Sequence, residues 1–426
     1  MRRTTKTALK VLAAVVGALV VVCVGGLLYL GHDCPPPDDS DLRPARPLIP
    51  DEQNAYYYFV QAARKLYYPR ERWGDISCLT GGTTWDPDLA KELVEKNAET
   101  FELIRRGLAC SQILAAEPKA SDNDWFPWQE WEKIGKLCMI RTRHLREKRM
   151  EKEAFDEAMN AVAFGHIVQN CGAFKGYLTT SHIKYKGCAR MGEMLWNTTL
   201  VPEQLRVYVD KLQDYAANEQ ALAVSIKASY ALNVQAFEDS LDGVEGNLDE
   251  QLPRGLPARM GFHLHVNRTR KLIADVHRLV IENIPKHRID QARIERFDFS
   301  RYKALGGKIK LVLTPNITGR ILVGMLAGSL EMQLVGKCRE NVQVHATRLL
   351  IAIRCYKMET GELPQYLDDL VPTYIKEIPI DDFDGRPMRY SREKKIVYSI
   401  GTNLIDDGGT GLPYDDDGDI IFEIDF

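Results

Sequence analysis

Val11 to Leu30 is an unbroken run of twenty uncharged residues, and no other stretch of this chain restricts its fold as tightly. At helical rise the run covers a hydrocarbon layer about 30 Å thick. It predicts a membrane-spanning helix. Arg2, Arg3, Lys6 and Lys10 precede the run without an acid, whereas Asp33, Asp38, Asp39 and Asp41 follow it. Because Lys and Arg stay on the cytoplasmic side of a span, the N-terminus is expected in the cytoplasm and the bulk outside. A cleaved secretory signal has a shorter apolar stretch, about 7–15 residues, closed by a small-x-small site, and no clear site follows Leu30. A lipid-attached Cys34 would need a small residue where Asp33 stands. The expectation is an uncleaved single-pass anchor in a bacterial inner membrane with a periplasmic bulk.

The charge balance narrows the partners. The chain's net charge is −3, and the four N-terminal cations leave −7 on the remainder. Nucleic-acid binding asks for a basic footprint, so that partner is not expected. About 390 exported residues suffice for two or three domains with real cores. Of nine cysteines, Cys23 lies in the apolar run, and the other eight form no C-x-x-C pair. Zinc is therefore disfavoured, while disulfides and buried thiols both stay open.

The fold class read from the pattern is mainly α: an N-terminal transmembrane helix, a helical middle domain and a small C-terminal α+β module. Residues 1–31 form the cytoplasmic tip and anchor, and 32–50, rich in proline, read as an extended stalk. Residues 51–316 form the helical domain. Asp86-Pro87 supplies an N-cap and a first-turn proline ahead of a stripe through Leu89, Leu93, Phe101, Ile104 and Leu108. Val201-Pro202 opens another long run through Leu205, Val209, Leu212, Ala216 and Leu222, with Glu219 interrupting the stripe. A break rich in Gly and Pro, near 239–260, reads as a loop. A last long helix is expected from Ile317 to Met358. Its first half, Ile321 to Val335, is short for a span and contains Glu331, so it reads as a core or interfacial helix. Gly324, Gly328 and Gly336 are expected to permit close packing there.

After that helix, residues 317–426 carry the pattern richest in chemistry. Gly401–Phe426 holds eight carboxylates and no Lys or Arg. Six of these, Asp406, Asp407, Asp415, Asp416, Asp417 and Asp419, share loop sequence with Gly408, Gly409, Gly411 and Gly418. Crowded carboxylates repel unless solvated or bridged by a cation, and Ca²⁺ takes several oxygen ligands on flexible loops. The Ile420-Ile421-Phe422 run reads as a strand that must bury itself, which argues against a merely solvated tail.

The order of residues in this region resembles the C-terminal globular part of the type II secretion major pseudopilin. The resemblance rests on Ala352-Ile-Arg-Cys-Tyr356, Gly361-Glu-Leu-Pro364, Leu367-Asp-Asp-Leu370-Val-Pro372 and Tyr374-Ile-Lys-Glu-Ile-Pro379. It continues through Asp384-Gly385-Arg-Pro387, Tyr398-Ser399-Ile-Gly401, Asp407-Gly408-Gly409 and Asp417-Gly-Asp419-Ile420. It implies a helix carrying a small sheet, with Ca²⁺ held by the acidic loop. The ligand set then reads Asn403, Asp406, Asp407, Asp415, Asp417 and Asp419. The chain departs from the family in having no acid within residues 11–30, Asn403 for the loop's first Asp, and an insertion from Thr410 to Tyr414. Pilus polymerisation is not expected of it.

Other chemistry is weaker. With Gly418 at the glycine position of an EF-hand, Pro413 would take the first ligand place and Ile424 the last, so the loop is not one. His263, His265 and His277 lack a metal-ligand spacing, and Ser181-His182 does not define a triad. Trp125, Trp128 and Trp131 suit a core better than a sugar platform. Three sequons, at Asn197, Asn267 and Asn316, are short enough to arise by chance. The expected function is binding or scaffolding in the envelope, linked to type II secretion by the resemblance, with envelope or secretion proteins as partners. The rivals are an exported hydrolase with its site in the helical domain, and a cell-wall carbohydrate-binding protein.

Overall fold

Side-chain caps start two of the described helices, those that begin at Ala55 and Pro87. The computed structural model describes residues 16, 20–21, 24–26, 32–43, 48–81, 84–110, 112–114, 128–169, 174–216, 219–242, 264–294, 314–411 and 418–426. The described chain is mainly helical and ends in a three-stranded antiparallel sheet. Asn54 caps α1 (Ala55–Lys65) by accepting the Tyr56 N–H at 3.1 Å. After α2 (Trp73–Gly81), the Asp86 carboxylate caps α3 (Pro87–Lys96) through Asp88 and Leu89, both at 3.0 Å, as the sequence leads one to expect. The stripe that continues to Leu108 is nevertheless two helices, because α4 (Ala98–Leu108) restarts after Asn97. The Asn97 amide donates to Leu93 O at 2.8 Å and to Tyr67 O at 2.9 Å, so a fully buried polar side chain marks the break.

Three longer helices follow: α5 (Trp128–Glu147), α6 (Glu151–Gln169) and α7 (Phe174–Met194). The last two approach closely through glycine. A Cβ on Gly165 would stand 2.7 Å from Thr180 O, and one on Gly187 would stand 2.7 Å from Val162 Cγ2. Neither position has room for a side chain. The run opened by Pro202 also divides, into α8 (Pro202–Gln213) and α9 (Glu219–Asp242). Asp214 and Tyr215 close α8 by donating to Lys211 and Leu212 carbonyls, a tightened last turn that ends the helix. Then come α10 (Val266–Asn283) and α11 (Ile317–Thr360). Gly361, at φ +85°, closes α11 by donating its N–H to Lys357 O at 2.8 Å.

The sheet is a meander. β1 (Arg389–Ser391) pairs with β2 (Ile396–Ser399), and β2 pairs with β3 (Ile420–Glu423), with Val397 opposite both Tyr390 and Phe422. Ile396, Val397 and Ile420 are buried. One apolar cluster takes in these strands together with Phe155 and Val162 of α6, Met191 of α7, Leu205 and Leu212 of α8, and Leu349 and Ile353 of α11. The C-terminal module therefore shares its core with the helices. A second cluster joins Phe59 of α1, Leu93 of α3, Ile104 of α4, Trp131 of α5 and Phe164 of α6.

Contacts divide the chain into two compact units, 1–43 with 230–279 and 293–331, and 44–229 with 280–292 and 332–426. Both clusters belong to the second unit. In the first, residues 32–43, read from sequence as stalk, are tied down. Asp33 accepts N–H groups from Asn267 and Arg268, Arg278 reaches Asp41 at 2.7 Å, and Leu42 is buried. Asp39 accepts the Tyr230 hydroxyl at 2.8 Å. Side-chain partners, not composition, turn that segment into packed structure.

Of the expected N-terminal span, Val16, Val20, Val21, Val24, Gly25 and Gly26 are described; they are helical, and the four valines are exposed. Among the described residues, the one helix long and apolar enough to cross a membrane is Ile317–Thr360, whose most apolar window is 44% buried. Much of that helix is core, as expected for it. Gly336 is a correction: a Cβ there would meet nothing within 4 Å, so close packing does not explain it.

Candidate functional site

The acidic segment folds back on β2 as a set of tight turns. Gly401 and Gly409 hold φ values of +67° and +73°, and a Cβ on either would collide, with Gly418 O in one case and the Ile396 side chain in the other. These turns bring part of the expected ligand set together. The Asn403 amide donates to Asp407 Oδ2 at 3.1 Å, and the Asp407 N–H donates to Asp419 Oδ1 at 3.3 Å. Asp419 Oδ2 accepts the Gly409 N–H at 2.7 Å. Burial pushes the Asp419 carboxyl above its ordinary value, and the Gly409 and Asp407 N–H groups only partly offset that.

Asp406 turns the other way. Its carboxylate accepts from Arg389 Nε at 3.0 Å and from the Gly408 N–H at 3.0 Å. Burial alone would raise it, but these two donors outweigh burial and hold it below the usual carboxylate value. Asp415 and Asp417 lie outside the described residues. Among the described residues no group of three or more His, Cys, Asp or Glu is arranged to hold a metal ion.

Sequence reasoning missed Arg389 altogether. Its guanidinium also meets Asp381 at 3.0 Å and Asp384, so one cation serves three carboxylates. Asp381 is fully buried, accepts further bonds from the Phe383 and Ile400 N–H groups and the Ser399 hydroxyl, and is still raised by burial. A basic residue at the start of β1, opposite Tyr398, was the available signal; its three partners are 5 to 17 residues away and announce themselves by no spacing.

Two buried polar clusters lie on α11. Lys184 of α7 forms an ion pair with Glu340, whose other oxygen accepts from Gln169 at 2.7 Å and Ser181 at 3.1 Å. His166 stands 3.4 Å from the Lys184 ammonium, and burial followed by that positive charge drops its pKa to about 3. One turn nearer the start of α11, Lys337 pairs with Asp382 at 3.0 Å, and Asn341 donates to the same carboxylate at 2.8 Å. His287 approaches it at 3.1 Å. The first cluster joins three helices by charge, and the second adds a charged tie between α11 and the C-terminal module to the apolar core they share.

The remaining candidates resolve individually. Trp131 is fully buried, donates to Phe59 O at 3.2 Å and meets Tyr56 and Phe164 edge-on, so it is core and not a sugar platform. Trp125 and His263 lie outside the described residues. His277 is buried against Ile273 O at 2.7 Å, and burial lowers its pKa to about 4. Asn316 is buried with its side-chain oxygen accepting from His265 and Thr269, which removes it as a glycosylation acceptor. Cys34, Cys78, Cys110, Cys138, Cys188, Cys338 and Cys355 are free thiols. Compared with known protein families, curated proteins and solved structures, the chain has no match.

Proposed function

We propose that this chain is a membrane-anchored binding or scaffolding protein of the bacterial envelope, with its bulk in the periplasm, a Ca²⁺-stabilised C-terminal module and a role linked to type II secretion. The observation that carries the calcium reading is the chain of contacts Asn403–Asp407–Asp419, which ends on a buried carboxylate that meets backbone N–H groups but, among the described residues, no side-chain cation. These two N–H bonds and the nearby Thr410 backbone occupy up to three of a carboxylate's roughly four lone-pair sites. Some oxygen capacity is left for a hard cation on Asn403, Asp407 and Asp419; Asp415 and Asp417, the further ligands expected from the sequence, lie outside the described residues. Because the strands share a cluster with α6, α7, α8 and α11, a cation held there would stiffen the whole second unit. Thermal unfolding of the full chain in nonionic detergent, with Ca²⁺ and with a chelator, tests this. A site binding only the folded state adds about 2.7 kcal/mol at a hundredfold excess over Kd; no shift at saturating Ca²⁺ removes the assignment.

One observation favours an exported hydrolase instead: the Ser181 hydroxyl rests on the buried Glu340 carboxylate. Against it, Glu340 already accepts from Lys184 and Gln169, which suits a strut better than a base. A fluorophosphonate probe separates the two. Labelling lost in Ser181→Ala would establish the hydrolase.

A further inference from the structure

Between the end of α5 with the turn that follows it and the end of α7, four arginines line a single cavity of about 490 Å³: Arg143, Arg146, Arg149 and Arg190. Glu147 is the one acid in that lining, so the cavity wall carries a formal +3 within a chain of net charge −3. A basic residue in the last turn of a helix complements the helix dipole. That explains Arg143 or Arg146, near the end of α5, but not four arginines around one space.

Two details show the concentration of charge is held against local cost. Arg149 closes α5 in a Schellman turn, its N–H donating to Arg146 O at 2.9 Å while Met150 N–H reaches Leu145 O at 3.0 Å. Its φ is +60°, the left-handed region that glycine occupies far more readily. An arginine stands where glycine would fold more easily. Arg190, with a side chain only 18% exposed, gives one donor to Glu193, yet its Nε is buried with no hydrogen-bond partner. A buried unpaired N–H is costly, but this Nε is closed off from solvent, so Arg190 can meet a ligand only through its terminal nitrogens.

We propose that this cavity binds a ligand bearing a phosphate or pyrophosphate group. One carboxylate would answer a single guanidinium fork, whereas a phosphate offers three oxygens and up to two charges to several forks at once. The volume suits a headgroup-sized ligand and is within the usual range of small-molecule pockets. Arg143 lies over the Trp85 ring at 4.4 Å, and Arg146 donates to Asn197. Both contacts leave most of a guanidinium's five donors unused, and Asn197, which also lines the cavity, fixes Arg146 at its wall. The phosphate could belong to a lipid headgroup or to a soluble phosphorylated compound; the recognition chemistry is the same.

The test uses the full chain in nonionic detergent, free of Ca²⁺, with sodium pyrophosphate titrated calorimetrically against sodium chloride at matched ionic strength. Binding of pyrophosphate beyond the chloride control is expected. Arg149→Gly should weaken it about tenfold, the worth of a hydrogen bond to a charged group, while leaving thermal stability unchanged or raised because glycine suits the turn. Arg143→Gln should weaken it similarly. Repeating the titration with dihexanoyl phosphatidic acid below its micelle concentration identifies the source: tighter binding than pyrophosphate assigns a lipid headgroup, and weaker binding assigns a soluble phosphate. Equal affinity in wild type, Arg149→Gly and Arg143→Gln, or no binding beyond chloride, overturns the proposal. Neither result bears on the calcium site, which these buffers leave empty.

Discussion

Glu340 and Asp419 are both buried carboxylates, and the protein treats them differently. Glu340 receives the Lys184 ammonium together with Gln169 and Ser181. Asp419 receives the Gly409 and Asp407 N–H groups and, among the described residues, no side-chain cation. A charge compensated from within the chain acts as a strut between helices. A charge left with dipoles alone carries a standing cost of burial, which a cation from solution can remove. The contrast separates the part of the fold that is electrostatically closed from the part that has room for a ligand.

The sharpest way to break this comparison is at Lys184. Lys184→Ala leaves Glu340 buried without its cation and should destabilise the full chain by about 3–5 kcal/mol, measured by denaturant unfolding. The double replacement Lys184→Met with Glu340→Leu should recover most of that loss, because the strut can be replaced by apolar packing. A loss under about 1 kcal/mol in the single variant, within the ordinary range for surface changes, would mean that the pair is not a strut.

Acidification sharpens the same contrast with a smaller effect. His166 is lowered to about 3 and His277 to about 4, from an ordinary 6.5. Their unfolded forms take up protons first, so the stability they contribute is complete above about pH 6.5 and is lost as pH falls toward those values. Asp381 and Asp419 are raised above an ordinary 3.8, so the folded form protonates first, and acidification toward 3.8 relieves a cost. Hydrogen exchange compared at pH 7 and pH 5 should show protection falling around α6 while the amides of Gly409 and Ile400 hold or gain. Parallel losses in both regions would contradict the assignment.

Much of this architecture is legible in the sequence, for local reasons. Asp86-Pro87, the α11 span and the Ile420–Phe422 strand follow from caps, punctuation and periodicity within a few residues of each feature. Neither helix break carries glycine or proline: the second is marked in the sequence only by Glu219 in the apolar stripe, where α9 begins, and the first has no local mark because Asn97 interrupts through a bond to Tyr67, thirty residues away. Part of the site was legible too, since crowded carboxylates are a property of composition. That Asp406 leaves the group for Arg389 was not, and the 156 residues between Lys184 and Glu340 place that pair beyond any spacing rule. Charge pairing is set by the tertiary fold, and a single sequence records it only where both partners are local.

The smallest expected effect is the most discriminating for the loop. Asp407 is exposed, and its side chain accepts from Asn403, while the bond to Asp419 uses its backbone N–H. Asp407→Asn therefore keeps the backbone contact and removes one charge from a crowded acidic turn. In chelator its stability should stay within about 0.5 kcal/mol of wild type, as for most surface substitutions, and a slight gain is expected because repulsion falls. In saturating Ca²⁺ the difference should widen, since the variant lacks a charged oxygen and the wild type alone gains the full thermal shift. Lys184→Ala gives the opposite pattern, a large loss that calcium does not change. If Asp407→Asn responds to Ca²⁺ as wild type does, the cation sits elsewhere, and Asp419 is a buried brace for its turn rather than part of a binding site.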